Sequence, residues 1–418
     1  MKILKSTVLS LFLIIGFIRC PNPEPDVTEN PYLQENIPWP SLGSSAWPSE
    51  RGDAQGSGRS QFSGPASHNG DTLVSLGAWT ESNSVIGEDD NIYTVGTEIG
   101  TGISYLYKYT TSGDLIWKTE VYASKQNSIT PTISSTGQVY ISGDKSGHIY
   151  AINAVDGSTT WSIQVDDYVS SSIALDLDGN LYVTTGSPSK LISLTSDGVV
   201  RWELQLGSAF RDYLREAAVF SPDGDEFYAF AGDSLFGIST DGHVNWSFGS
   251  GLHSFSVLVD IEGIIYLNNE DSSKVTAIEV GGLVRWETPY SELQASTLFS
   301  FHAPPAMDSE GNLYYKGKDL DLNLGVFSIS NEGVFRWFQN APTGTDILCD
   351  SDDNIFIGRS SSTSLEVTCM SSSGEVLWNL IRDDIGGGNS SRNMAITASG
   401  ELVVPLQGNW YYLNYIVY

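Results

Sequence analysis

Five histidines, three cysteines and 50 carboxylates are the groups from which a hydrolytic, redox or metal site in this 418-residue chain would be built. Their spacing forms none of the familiar sites. His68, His148, His243, His253 and His302 make no HExxH pair, and GxSxG, a phosphate-binding glycine loop and CxxC are all missing. Asp319, Asp321 and Asn323 alternate in KDLDLNLG like the start of a calcium loop. That stretch lacks the glycine and distal glutamate such a loop uses, so an inserted loop in the sixth blade, without metal, is expected. One set shares a place: Arg211, Arg215, His253, His302, Arg392 and Asn393 all precede short apolar strands. Converging there, they would hold an anionic small molecule or a partner's carboxylates; Asp212 and Glu216 offer local pairing instead.

Whatever these side chains do depends on the elements that carry them, and those elements repeat. Gly-x-x-x-Trp occurs seven times, ending at Trp117, Trp161, Trp202, Trp246, Trp286, Trp337 and Trp378, at intervals of 40 to 51 residues. A second line recurs eight times, as in STGQVYISG, LDGNLYVTTG, SEGNLYYKG and ASGELVVPL. Self-similarity at this period marks stacked units or a propeller. Each unit parses into four short strands joined by Gly/Asn/Asp turns that suit tight hairpins. Seven residues before the recurrent aromatic or valine stand Ile86, Ile133, Leu175, Phe220, Val259, Met307, Cys349 and Ile396. A buried first-strand position demands such residues.

The reading is therefore all-β: an eight-bladed β-propeller of four-stranded antiparallel blades. Its last blade lacks the Gly-x-x-x-Trp strand, and Asp71 to Gly77 is a strand without a blade, so pairing the two closes the ring. The seven tryptophans are expected to dock each blade on the next, beside a mostly small residue (Lys108, Ala151, Ser193, Gly237, Ala277, Ser328 or Cys369). Each indole so buried removes roughly 150–250 Å² from water, a gross gain of about 4–6 kcal/mol. Cys349 and Cys369 fall on the first and third strands of one blade, which are not neighbours, so no disulfide is expected.

The line AINAVDGSTTW (Ala151 to Trp161) resembles the repeat of quinoprotein-type propellers, the PQQ-like repeat family, with Asn153 and Asp156 replacing its Asp and Thr. WPSERGDAQGSGRSQFSGP, from Trp47 to Pro65, resembles the segment before the first blade in secreted bacterial members. The resemblance implies the propeller fold over residues 47–418. Enzymatic members carry a vicinal cysteine pair over pyrroloquinoline quinone and carboxylates holding calcium. This chain has no Cys-Cys, so no cofactor is expected. The family also includes the non-catalytic propeller lipoprotein of the outer-membrane β-barrel assembly machinery, a scaffold that uses no quinone.

The N-terminus reads as an export signal over residues 1–19: Lys2 and Lys5, then an apolar run from Val8 to Ile18, too short to span a bilayer. Cys20 follows, as in a bacterial lipoprotein, where the cysteine becomes the lipidated first residue; Arg19 replaces the small residue usual before it. Residues 20–46 read as a flexible Pro-rich tether. A net charge of −29, from 50 acidic and 21 basic residues, repels nucleic acid and anionic membrane surfaces. The expectation is a non-catalytic, monomeric, exported scaffold of the bacterial envelope, in the periplasm or at the cell surface, attached to a membrane only through a lipid on Cys20. Its partners are then envelope proteins, the barrel-assembly proteins among them. The alternatives are a quinone-dependent dehydrogenase of alcohols or sugars, and an adhesin or carbohydrate-binding propeller displaying Tyr290, Phe299 and Phe301.

Overall fold

The computed structural model describes residues 33–418, apart from 69, 76, 81, 123–129, 144–146, 166–167, 187–189, 207–216, 232, 250–251, 253–256, 270–271, 300–303, 362–363, 385–392, 407–412 and 418. Cys20 and the apolar run before it lie outside the described residues. Every regular element is a strand. Seven antiparallel sheets are each built from contiguous chain: I (78–120), II (132–164), III (174–205), IV (219–248), V (257–289), VI (295–340) and VII (348–382). Sheet III shows the plan: Ala174–Leu175, Leu181–Thr184, Lys190–Leu194 and Val200–Gln205 pair in sequence order. Sheets I and VI add one short strand, Ala78–Thr80 and Ala295–Leu298, to the same plan. These are the four-stranded antiparallel blades of a β-propeller. Sheet VIII is composite: Ala395–Ile396, Leu402–Leu406 and Leu413–Val417, with Asp71–Ser75 added along Leu413–Val417.

The frame around each tryptophan explains both its glycine and its neighbours. All seven tryptophans stand directly opposite the small position of their own sheet, as in Trp202 against Ser193 and Trp246 against Gly237, with a β-bulge at the residue before the indole. The small residue is thus the cross-strand partner of the indole within its own blade. What the next blade supplies is its turn glycine. A Cβ on Gly242 would lie 2.8 Å from the Trp202 ring, and one on Gly374 the same distance from Trp337. Both glycines hold positive φ, near 89° and 86°, so the turn and the close approach demand glycine together. The indole N–H then donates across the gap, from Trp161 to the Ser196 carbonyl (2.9 Å), Trp286 to Asn331 (2.8 Å) and Trp337 to Ser372 (3.0 Å). Six of the seven indoles are only half-buried and Trp378 is buried, so those six contribute less than the full-burial figure.

At the joint beside sheet VIII the same sockets have other occupants. Trp378 donates to the Pro65 carbonyl (3.1 Å) and packs against His68. Gly113 of sheet I meets Val74 of Asp71–Ser75, at 3.2 Å from its Cβ position, where its counterparts meet tryptophan. Cys349 and Cys369 are buried, unpaired and separated by the intervening strand Ile355–Ser360.

The packed body begins upstream of Trp47. Trp39, Leu42 and Ala46 are buried, and the Trp39 indole donates to the Leu175 carbonyl at 2.8 Å. The stretch assigned to a flexible tether is therefore part of the folded unit from Leu33 on.

Candidate functional site

The eight first-strand residues picked out by the repeat are all buried. Six of them donate their backbone N–H to the N-terminal segment: Ile86 to Trp47, Ile133 to Pro48, Phe220 to Ala54, Val259 to Gln55, Met307 to Ser57 and Cys349 to Gly58, all at 2.8 to 3.1 Å. Leu175 accepts from Trp39 instead. The innermost strands thus share one internal binding partner, residues 39–58 of the same chain. This segment has no hydrophobic period; it is shaped by turns at Gly52, Gly56 and Gly58. Gly58 shows why. With φ of 65°, its Cβ would fall 2.2 Å from the Arg51 guanidinium.

Glu50 and Arg51 carry the electrostatics of this hub. The Glu50 carboxylate accepts from the Ala217 N–H (3.1 Å), the Thr130 hydroxyl (3.2 Å) and Asn83 Nδ2 (3.4 Å). Burial raises its pKa to about 7; the bonds from Ala217, Ser172 and Thr130 oppose that rise and the Asp346 charge adds to it. Arg51 donates to the Pro305 carbonyl (2.6 Å) and to Ile347 (3.4 Å), with Asp346 at 3.9 Å. Asp346 is held in turn by the buried Lys316 ammonium at 2.9 Å. Asp53 is also buried, and loss of water pushes its carboxyl up despite bonds from Ser57. Beside Glu50, Arg51 and Asp53 lies a cavity of about 40 Å³, walled by Thr132, Ala174 and Phe220. That space suits roughly one to three waters and is far below the ~300 Å³ of a cofactor pocket.

Of the residues expected to converge at a funnel mouth, Arg211, Arg215, His253, His302 and Arg392 lie outside the described residues. Asn393 is described, and it faces inward. It is buried, its N–H donates to Asn83 Oδ1 (2.9 Å), and its Nδ2 donates to the Glu50 carbonyl (3.1 Å). Tyr290 is buried, with its hydroxyl on Asn268 and the Leu298 carbonyl, so it is not a displayed aromatic. Phe299 is half-buried and Phe301 lies outside the described residues. Asp319 accepts the N–H groups of Asp321 (3.0 Å) and Asn323 (2.7 Å), closing a hairpin. In the DLDGN-type turns, Asp308 similarly accepts from Glu310 and Asn312, and the buried Tyr314 hydroxyl donates to it. Among the described residues no group of His, Cys, Asp and Glu is arranged to hold a metal. Glu50, Arg51, Asp346 and Lys316 were not singled out from sequence. For Glu50 and Arg51 the one visible signal is charge, Glu-Arg-Gly-Asp, inside a Gly/Ser-rich stretch; Lys316 and Asp346 stand in strand and loop lines with nothing to mark them.

The profile of the family described as outer membrane protein assembly factor BamB matches residues 69–213 and 145–380. The chain belongs to that family. No curated protein matches it in sequence. Among solved structures, the Saccharomyces cerevisiae Sqt1 is similar over 84% of this chain and 99% of its own, at 10% identity and a TM-score of 0.61. BamB from Moraxella catarrhalis covers 71% of this chain and 96% of its own, at 15% identity and a TM-score of 0.44. A virginiamycin B lyase from Staphylococcus aureus, solved with quinupristin, covers 69% of this chain and 95% of its own, at 12% identity and a TM-score of 0.49. At these identities, likeness speaks to fold alone; the one that carries it is Sqt1.

Proposed function

We propose that this chain is a non-catalytic, exported propeller that serves as a protein-binding scaffold in the bacterial cell envelope. The observation that carries this reading is the occupied hub. Here Glu50 and Arg51 of the chain's own segment bond to Asn83, Thr130, Ala217, Pro305 and Ile347, and Asn393 donates back to the Glu50 carbonyl, so these polar groups are spent on internal bonds. Membership of the BamB family supports the same reading, with outer-membrane assembly proteins as the partner class and Cys20 as a lipid anchor. In this reading the composite sheet VIII is the eighth blade, and Asp71–Ser75 closes the ring. Its pairing with Leu413–Val417 and the seat of Val74 on Gly113 support that closure, as does the contact between the first strands of sheets I and VIII.

The test is chemical crosslinking in intact cells, followed by purification of the tagged chain. Recovery of defined envelope proteins, barrel-assembly components among them, is the expected result. Recovery of none, together with dye reduction when the pure protein receives pyrroloquinoline quinone, calcium and an alcohol or sugar, would overturn it. A Cys20→Ser variant that stays membrane-bound would remove the lipid anchor.

A further inference from the structure

The seven fourth strands share one frame around their tryptophan, so each serves as a control for the others. Three residues after the indole stand Glu120, Gln164, Gln205, Gly249, Pro289 and Asn340 in sheets I to VI, but Ile381 in sheet VII. The residue before the indole is Leu377 there, and Thr, Arg or Asn in five of the others. In the strand Val376–Arg382, Val376, Leu377 and Ile381 are 42%, 48% and 55% exposed, with exposed Asn379 between them. The strand ends its sheet, and no described strand pairs with its outer edge. Lys118 and Glu120, Arg201 and Glu203, and Arg285 and Glu287 charge the matching strands of sheets I, III and V, a device that discourages a foreign strand. Sheets II and IV use Ser, Thr, Asn and Gln there. Sheet VII alone leaves an aliphatic row at both ends of its edge.

The charges that bracket this row are acidic. Glu375 precedes it, and exposed Asp383 and Asp384 follow, the latter pairing Arg382 at 2.8 Å. We propose that Val376–Arg382 is a docking edge that takes an extended segment of a partner protein as an added strand. That segment carries aliphatic side chains at alternate positions and Lys or Arg at its ends. Backbone pairing holds the added strand, while alternate side chains and flanking charge select it. The net charge of −29 favours a basic partner at longer range. This inference rests on the protein-binding reading above and names its surface.

A fluorescent peptide, Lys-Lys-Val-Thr-Val-Thr-Val-Thr-Lys-Lys, and its Glu-flanked counterpart provide the test on the full chain. Binding of the Lys-flanked peptide is expected, with the Glu-flanked one weaker and amide exchange slowed across residues 376–382. A Leu377→Lys, Ile381→Lys variant, or Asn379→Lys alone should the double change lower the melting temperature, is expected to weaken binding about tenfold or more. Unchanged binding by a folded variant, or no slowing at 376–382, overturns the docking edge. Crosslinking separates the two claims. The same envelope partners on wild type and variant would remove this edge and leave the scaffold standing, whereas no partner on either would remove the scaffold itself.

Discussion

At the scale of single residues, each joint between contiguous blades is one ring and one missing Cβ. Trp202→Ala removes the ring from its seat under Gly242 and leaves the Thr240 carbonyl, now held by the indole N–H at 3.2 Å, without that donor. The half-buried position puts the cost at about 2–4 kcal/mol, measured by urea unfolding. Gly242→Ala attacks the joint from the other side, with a strained φ and a clash, at about 1–3 kcal/mol. Because both changes break one contact, the double variant is expected to lose less than the sum; strict additivity would mean that ring and glycine act separately. The cysteines give a second residue-scale outcome. Burial pushes the Cys369 thiol up to about 12 and the Cys349 thiol well above its ordinary value. Neither should react with a thiol reagent at pH 8 until the protein unfolds, since the thiolate is the reactive form. Native-state labelling at either position would contradict the packing described.

The element that organises the hub is the N-terminal segment, and its pH response follows from Glu50. Its folded pKa of about 7 lies above the ordinary 4.5, so the folded state binds the proton more tightly. The stability it confers is complete below about pH 4.5 and is lost as pH rises through 7. The amplitude is about 3 kcal/mol at 1.36 kcal/mol per unit. Glu50→Gln should flatten that part of a melting-temperature curve between pH 5 and 8, and an unchanged slope would assign the effect to other groups. Arg51→Ala tests the same element by another readout. The amides of Met307 and Cys349, bonded to Ser57 and Gly58 beside it, should exchange faster than that of Ile86 at the far end.

At the scale of the whole molecule, Asp71–Ser75 is the predicted seam. Val74→Asp places a charge at a 2% exposed site against Gly113, and should open the ring to proteolysis between 60 and 80 well before global melting. Protection equal to wild type would place closure elsewhere. The four-stranded blades were legible because a repeat aligns itself: Ile86 through Ile396 and Trp117 through Trp378 each report the same environment several times over. The hub was not. Glu50 meets Asn83, Thr130, Ala217 and Asn393, at separations of 33, 80, 167 and 343 residues, and no local pattern encodes partners so scattered.

The threading of residues 39–58 through the inner strands also sets an order of events. Arg51 reaches Pro305 and Ile347 across 254 and 296 residues, so these two bonds of the first part of the propeller body to leave the ribosome form only after most of the rest has been made. Contacts of such sequence separation slow folding, because long loops must close before any bond compensates. Trp47 and Pro48 meet Ile86 and Ile133, whereas Ser57 and Gly58 meet Met307 and Cys349, so the partners of the segment are synthesised one after another. One short segment therefore ties the earliest blades of the chain to the latest, and its Arg51 bonds wait until residue 347 has been made.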